Sequence, residues 1–234
     1  VPLNLDEVER AAELFAERGL EAVVIGFLFS FLNNDHELMA KEIVKRVMPD
    51  AFICASCEVV NTMREYERFS TAAMNAYIGP RTAGYLDNLQ RRLRDAGVNA
   101  YVRMMQSNGG VSTVEQASKN PVGLLLSGPA GGVIGGRWTG QACDQGQVIT
   151  IDIGGTFTDL VGYRDGALVL AKTLTTPDNP ALGVATALSL SETNVATLAE
   201  FLHGSTIAIN TVLERKGART ALLTTEGFRD VYEI

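Results

Sequence analysis

Residues 148–161 read VITIDIGGTFTDLV, and their types and spacing suit the binding of a phosphate chain. The β-formers Val148, Ile149, Thr150 and Ile151 lead into Asp152; Gly154-Gly155-Thr156 follows, and then a second strand-like run. Adjacent glycines let the backbone take conformations closed to residues with a Cβ, so phosphate oxygens can approach main-chain N–H groups closely. Thr156 and Thr158 add hydroxyl donors, while Asp152 and Asp159 are carboxylates suited to Mg²⁺, directly or through water. The segment reads as a phosphate-binding hairpin, and a plain tight hairpin between two strands is the competing reading. Neither G-x-x-x-x-G-K-[ST] nor G-x-G-x-x-G occurs in the chain, so neither a P-loop nor a dinucleotide fold is expected.

Other residues invite chemistry less strongly. Leu124–Gly136 reads LLLSGPAGGVIGG, with Ser127 as a helix cap and Pro129 in the first turn. A helix N-terminus there offers free N–H groups to an anion, and Gly128, Gly131 and Gly132 allow close backbone approach; a small-residue helix packed on a sheet is the alternative. His203 opens the run HGST (203–206) and is a candidate to face a cleft, against the commoner structural histidine. Arg64, Glu65 and Arg68 have the spacing of an ion-pair network on one helix face. Cys54-Ala-Ser-Cys57 has no second cysteine pair, and neither His36 nor His203 stands at ligand spacing from it. It reads as two partly buried thiols rather than a metal or redox site, and the lone Trp138 reads as a packing residue.

The elements that must position these residues alternate. A helix is expected over Leu5–Arg18, with Asn4 as N-cap and Gly19 as stop, then a strand over Ala22–Leu32 and a helix from Asp35 to Val47 ended by Pro49. Glu65–Gly97 reads as helix broken near Gly79-Pro80, and Tyr101–Met105 as a short strand. A composition change at Gln141–Gln147 marks a boundary. Beyond it three strands are expected (Val148–Ile153, Thr158–Tyr163, Ala167–Leu174). Helices follow at Leu182–Leu190, Val195–Phe201 and Thr206–Arg215, and a strand at Arg219–Thr224. This alternation is α/β, and three meandering strands followed by helix and strand is the start of a ribonuclease-H-like unit, the half-domain of actin-like ATPases.

Composition narrows the class. The chain has 234 residues, 46% hydrophobic and 20% charged, which fits an ordinary globular protein of one large or two small domains. A formal net charge of −7 argues against a nonspecific nucleic-acid surface. The longest apolar run, Ala22–Leu32, is too short to span a bilayer. Three cysteines suggest no disulfide framework, and the expected compartment is the cytoplasm.

Several segments together resemble the ATP-dependent hydantoinase/oxoprolinase family, in its hydantoinase A-type subunit. IDIGGTFTDLV (151–161), TLTTPDNP (173–180) and HGSTIAINTVLERKGARTALLTTEGFRDVYEI (203–234) are similar to the family's N-terminal domain. EYERFSTAAMNAYIGP (65–80), MQSNGG (105–110) and LLSGPAGGVIG (125–135) are similar to its central region. On that resemblance residues 1–145 form a central-type α/β domain and 146–234 an N-terminal-type ribonuclease-H-like domain. The order is the reverse of the family's, as a circular permutation or a fusion across two homologous hairpins would leave it. A family member also carries a second glycine hairpin after SGPAGG; here Asp152–Asp159 takes that place.

The resemblance implies ATP and Mg²⁺ as cofactors, a small cyclic amide as substrate (5-oxoproline or a hydantoin), and a hydantoinase B-type partner subunit. It also implies a reaction in which phosphoryl transfer activates the ring carbonyl before opening, with an ATP-dependent carboxylase subunit as the alternative, or an incomplete fragment that only binds a partner. Gly154, Gly155 and Thr156 are then the phosphate contacts, Asp152 the Mg²⁺ or water-positioning carboxylate, and Thr158 and Asp159 its support. Gly128, Gly131 and Gly132 approach substrate or nucleotide, and His203 faces the reaction.

Overall fold

The computed structural model describes residues 2–142, 157–164, 167–174, 179–191 and 200–228. The chain runs α1 (Leu5–Glu17), β1 (Ala22–Gly26), α2 (Asp35–Val47), β2 (Phe52–Ala55), α3 (Ser56–Val59), α4 (Glu65–Asp95), β3 (Tyr101–Met105), β4 (Val111–Thr113), α5 (Val114–Lys119) and α6 (Ser127–Ala142). It continues with β5 (Phe157–Arg164), β6 (Ala167–Leu174), α7 (Pro180–Leu190), β7 (Glu200–His203), α8 (Ile207–Leu213) and β8 (Thr220–Thr224). Two compact units result. One comprises Val1–Thr82, Lys119–Val122 and Thr211–Ile234; the other comprises Ala83–Ser118 and Gly123–Asn210. The first unit draws on both ends of the chain, because β8 pairs with β1.

In the first unit, β1 is the middle strand of a parallel sheet ordered β2-β1-β8. Its residues are all buried, as a parallel strand covered on both faces requires. Alternate side chains go to opposite faces: Val23 and Ile25 join Val8, Ala12, Ala40, Val44 and Met48. Ala22 and Val24 join Cys54, Ala72 and Ala76. Helices α1 and α2 therefore cover one face and α4 the other. Asn4 caps α1 as expected, its side chain accepting the Glu7 N–H at 3.4 Å, and Gly19 ends it with φ +62°, the left-handed conformation suited to glycine.

Two sequence expectations need correction here. The strand expected to reach Leu32 stops at Gly26, because side chains capture the next backbone groups. Glu37 Oε1 accepts the Phe27 N–H at 2.8 Å, and Arg68 Nη2 donates to the Phe27 carbonyl at 2.8 Å. The helix expected to break at Gly79-Pro80 runs unbroken as α4, with Pro80 inside it. Proline removes a donor and crowds the preceding turn; the nearby Tyr77 carbonyl takes a long-range N–H, from Ala218 at 2.8 Å. Gly79 admits the Phe52 ring, which a Cβ would meet at 2.6 Å.

Arg68, expected to share an ion-pair network with Arg64 and Glu65 on one helix face, is fully buried, as is Glu37. Its Nε donates to Ser56 Oγ at 3.0 Å and its Nη1 to the Thr62 carbonyl at 2.8 Å, with Glu65 Oε1 3.4 Å from Nη2. Ser56 Oγ in turn donates to Glu37 Oε1 at 2.7 Å, and the Cys57 N–H donates to Glu37 Oε2 at 2.9 Å. A buried carboxylate and a buried guanidinium are thus joined through one hydroxyl, each saturated by backbone groups. Both cysteines of the C-x-x-C are free. Burial pushes the Cys54 thiol up to about 12, and burial with the neighbouring Glu37 does the same to Cys57, so both stay protonated and unreactive at neutral pH.

In the second unit, β3 is flanked by antiparallel β4 and parallel β7, while β5 and β6 form their own antiparallel pair. The expected helix at Val195–Phe201 overlaps β7; where the structure describes it, from Glu200, the chain is strand and Phe201 pairs with Val102 of β3. A short apolar run does not declare its period, and the available edge of β3 settles it.

Replacing Arg68 with Met should cost on the order of 3–5 kcal/mol in urea unfolding, because it strands the buried Glu37 charge and two carbonyls. Arg64→Ala, which breaks only the exposed Arg64–Glu67 pair of 3.1 Å, should stay within about 0.5 kcal/mol of the parent. Equal losses in the two variants would show that the buried network does not hold this unit together.

Candidate functional site

The second unit gathers most of the sequence-predicted residues that the structure describes. β3 and β7 run parallel, with Met104 opposite His203, so the turns that follow them emerge at the same end of the sheet. In α/β sheets the carboxyl ends of parallel strands are where ligands bind. After β3 comes Gln106–Gly110, closed by Gln106 N–H to the Gly110 carbonyl (2.8 Å) and Gly109 N–H to the Gln106 carbonyl (3.0 Å). Gly109 has φ +82°, the left-handed conformation that favours glycine. Ser107 ties this turn to the approach to α6: its hydroxyl donates to the Gly123 carbonyl at 2.9 Å and accepts the Leu126 N–H at 2.9 Å.

After β7 comes Gly204-Ser205-Thr206, which packs on the start of α6. A Cβ on Gly204 would meet the Ser127 carbonyl oxygen at 3.2 Å, and one on Gly128 would meet Thr206 Cγ2 at 3.1 Å. Gly131 lies over Met105, its ideal Cβ 3.8 Å from Cγ, and Gly132 follows in the same helix. The small residues of α6 thus bring two backbone turns together. Ser127, expected as an ordinary cap, is instead fully buried and stitches the turns. Its hydroxyl donates to the Ser205 carbonyl at 2.9 Å and accepts the Ser205 N–H at 3.2 Å.

His203 stands at the end of β7, its Nε2 2.5 Å from the hydroxyl of Tyr85 on α4. Its ring also stacks on Phe201, with centroids 6.3 Å apart and planes inclined by 13°. Burial lowers the His203 pKa from 6.5 to about 4, so the imidazole is neutral at physiological pH. Burial pushes the Tyr85 hydroxyl up to about 12, against a smaller opposite pull from a hydrogen bond with Ser205.

Gly128 and His203 are therefore brought close through Gly204, while Gly131 lies on Met105 of β3 and Gly132 follows it in α6. Thr158 and Asp159 lie on β5, in register with Thr173 and Lys172 of β6. Asp152, Gly154, Gly155 and Thr156 lie outside the described residues. Tyr85, Ser127 in its stitching role, Ser107 and Ser205 were not singled out by sequence reasoning. Tyr85 occupies an inward position of an amphipathic helix, where nothing local separates it from a core aromatic. Ser205 adjoins His203 in HGST, the one signal that could have found it.

Comparison with known proteins points to one family. The hydantoinase/oxoprolinase family model matches residues 68–212, and the model of that family's N-terminal region matches residues 1–48. The second match falls in the stretch that the resemblance gave to the central region; in space it is residues 22–26 that pair with 220–224. An uncharacterized protein of Methanocaldococcus jannaschii is 37% identical over 155 residues, 66% of this chain and 23% of the relative. Caprolactamase subunit alpha of Pseudomonas jessenii is 33% identical over 171 residues, 73% of this chain and 25% of the relative. The solved structure of the ATP-dependent caprolactamase from Pseudomonas jessenii superposes with a TM-score of 0.54 at 30% identity, covering 72% of this chain and 23% of that one. Nucleotide-free acetone carboxylase shares the fold, with a TM-score of 0.55 at 23% identity over 75% of this chain and 23% of that one. The chain spans about a quarter of the length of these relatives.

Two outcomes test the geometry. Ser127→Ala leaves the Ser205 N–H and carbonyl without their buried partner and should cost about 1–3 kcal/mol in thermal or chemical unfolding. Acid should also weaken the fold through His203. Between 6.5 and about 4 the unfolded ring is protonated while the folded one is not. The unfolded state then binds more protons, and stability present above 6.5 is lost as pH falls toward 4. At about 1.4 kcal/mol per tenfold change in proton affinity this amounts to about 3 kcal/mol. His203→Gln should accordingly show a shallower decline than the parent in urea titrations across that range, and identical slopes would contradict a buried neutral imidazole.

Proposed function

Because this chain belongs to the hydantoinase/oxoprolinase family, we propose that it forms part of an ATP-dependent hydrolase subunit acting on a cyclic amide of the 5-oxoproline or hydantoin type. The observation that carries this reading is the close approach of Gly128 and Gly204, next to His203, at the carboxyl ends of two parallel strands. The nucleotide-binding architecture proposed is an actin-like ATPase half-domain of ribonuclease-H type, and the junction near 145/146 is proposed as a break in the order of family regions. A hydantoinase B-type subunit is the proposed partner, in keeping with a relative that is itself named as a subunit.

The donor set of residues 152–159 fits a Mg-nucleotide by its chemistry: carboxylates, two adjacent glycines, and threonine hydroxyls. Gly154, Gly155, Thr156 and Thr158 would hold the phosphates, and Asp152, supported by Asp159, would hold Mg²⁺. ATP, when bound, supplies the phosphoryl group that makes a poorly electrophilic amide carbonyl reactive. The protein's share of phosphoryl transfer is positioning and charge neutralisation. Here the turns at Gln106–Gly110 and Gly204–Thr206 are fixed by hydrogen bonds and by glycines, so a substrate placed against them meets a rigid backbone surface. His203 is proposed to contact the reacting groups. A carboxylase subunit using the same nucleotide site is the second reading, favoured by the shared fold of acetone carboxylase.

Calorimetry of the purified chain with Mg-ATP tests the reading, with Asp152→Ala as control. Saturable binding that the variant loses is the expected result. A folded chain that binds no Mg-ATP would refute autonomous nucleotide binding and leave a fragment that only engages a partner. Where binding is seen, ATP turnover stimulated by a lactam supports the hydrolase, and turnover stimulated by bicarbonate with a ketone supports the carboxylase.

A further inference from the structure

We propose that Tyr85 fixes the tautomer of His203, its hydroxyl donating to Nε2, so that Nδ1–H is held as an uncharged hydrogen-bond donor to a carbonyl or phosphoryl oxygen of the reactants. The proposal rests on the reading that this unit binds the reactants, and it assigns His203 a donor's part rather than a base's.

The Tyr85 hydroxyl has one proton and keeps it, its pKa standing near 12. In a pair of neutral phenol and neutral imidazole, the phenol is the stronger acid and the unprotonated ring nitrogen the stronger base, so the short contact is made by Tyr85 Oη–H donating to His203 Nε2. An Nε2 that accepts a proton bond carries none, so the neutral ring has its proton on Nδ1.

Geometry supports the same assignment. The imidazole has two aromatic neighbours, Phe201 at 6.3 Å and Tyr85 at 5.9 Å between centroids, which restrict its rotation. Among the described residues Nδ1 has no hydrogen-bond partner, and it is not one of the buried polar atoms cut off from solvent. The next residue, Gly204, is where the chain comes against the start of α6. A ring held neutral by burial is a poor general base at pH 7. As a preorganised N–H it can stabilise charge growing on an oxygen without transferring its proton. Tyr85 acts through His203 and is a positioning residue.

The decisive readout is the ¹⁵N spectrum of the imidazoles in the labelled 234-residue chain at pH 7, with His36→Gln used to assign the only other histidine. Long-range ¹H–¹⁵N correlations should give His203 a protonated Nδ1 and an unprotonated Nε2. Tyr85→Phe should move the population toward Nε2–H, a change that a merely packing tyrosine would not produce. An Nε2–H or doubly protonated ring in the parent overturns the proposal, and so does an unchanged tautomer in folded Tyr85→Phe. Should that variant not fold, the parent spectrum decides alone. Adding 5-oxoproline or Mg-ATP separately should shift the Nδ1–H proton downfield with one of them, distinguishing a carbonyl from a phosphoryl acceptor; a shift with neither overturns the donor role. The tautomer is read without any ligand, so its failure is distinct from a failure to bind Mg-ATP in calorimetry.

Discussion

The ladder between β1 and β8 is the constraint on which the first unit depends. It joins Ala22–Gly26 to Thr220–Thr224, and Glu21 reinforces it, with its N–H on the Arg219 carbonyl at 2.9 Å and its carboxylate accepting the Arg219 N–H at 2.9 Å. Closing so long a loop costs little more entropy than closing a shorter one, since the cost grows only with the logarithm of length. The gain is a central strand with neighbours on both edges and apolar layers on both faces. Without β8, β1 would present an open edge of unpaired backbone groups.

The polar network at the end of that strand follows from the same geometry. A parallel strand buried on both faces must release its backbone groups somewhere, and buried N–H and carbonyl groups need partners. Glu37 and Arg68 take the two groups of Phe27 and are linked through Ser56. Replacing such a network by apolar residues need not weaken a fold, but breaking one member leaves an uncompensated charge. This explains how two fully buried charged side chains are tolerated beside an otherwise apolar core.

In the second unit the organising feature is the absence of side chains rather than their presence. Gly128 and Gly204 let α6 and the turn after β7 approach until the Ser127 hydroxyl bridges them. His203 is carried on the strand that leads into this contact; Tyr85 engages one ring nitrogen, and among the described residues the other has no hydrogen-bond partner. A turn built from backbone hydrogen bonds cannot easily deform, which is what a site that must orient reactants requires.

Much of this was legible locally. The ends of α1 and α2, the α/β alternation, the glycine-rich segments and the distributed resemblance to one family all follow from residue type and short-range spacing, because capping, periodicity and backbone freedom are local properties. What tertiary structure alone decided depends on partners distant in sequence. β1 stops at Gly26 because Glu37 and Arg68 claim Phe27; α4 continues through Pro80; and residues 200–203 become strand because β3 offers them an edge. The pairing of Tyr85 with His203 joins side chains separated by 118 positions. No local pattern distinguishes that tyrosine from its buried neighbours, because its function is conferred by what folds against it.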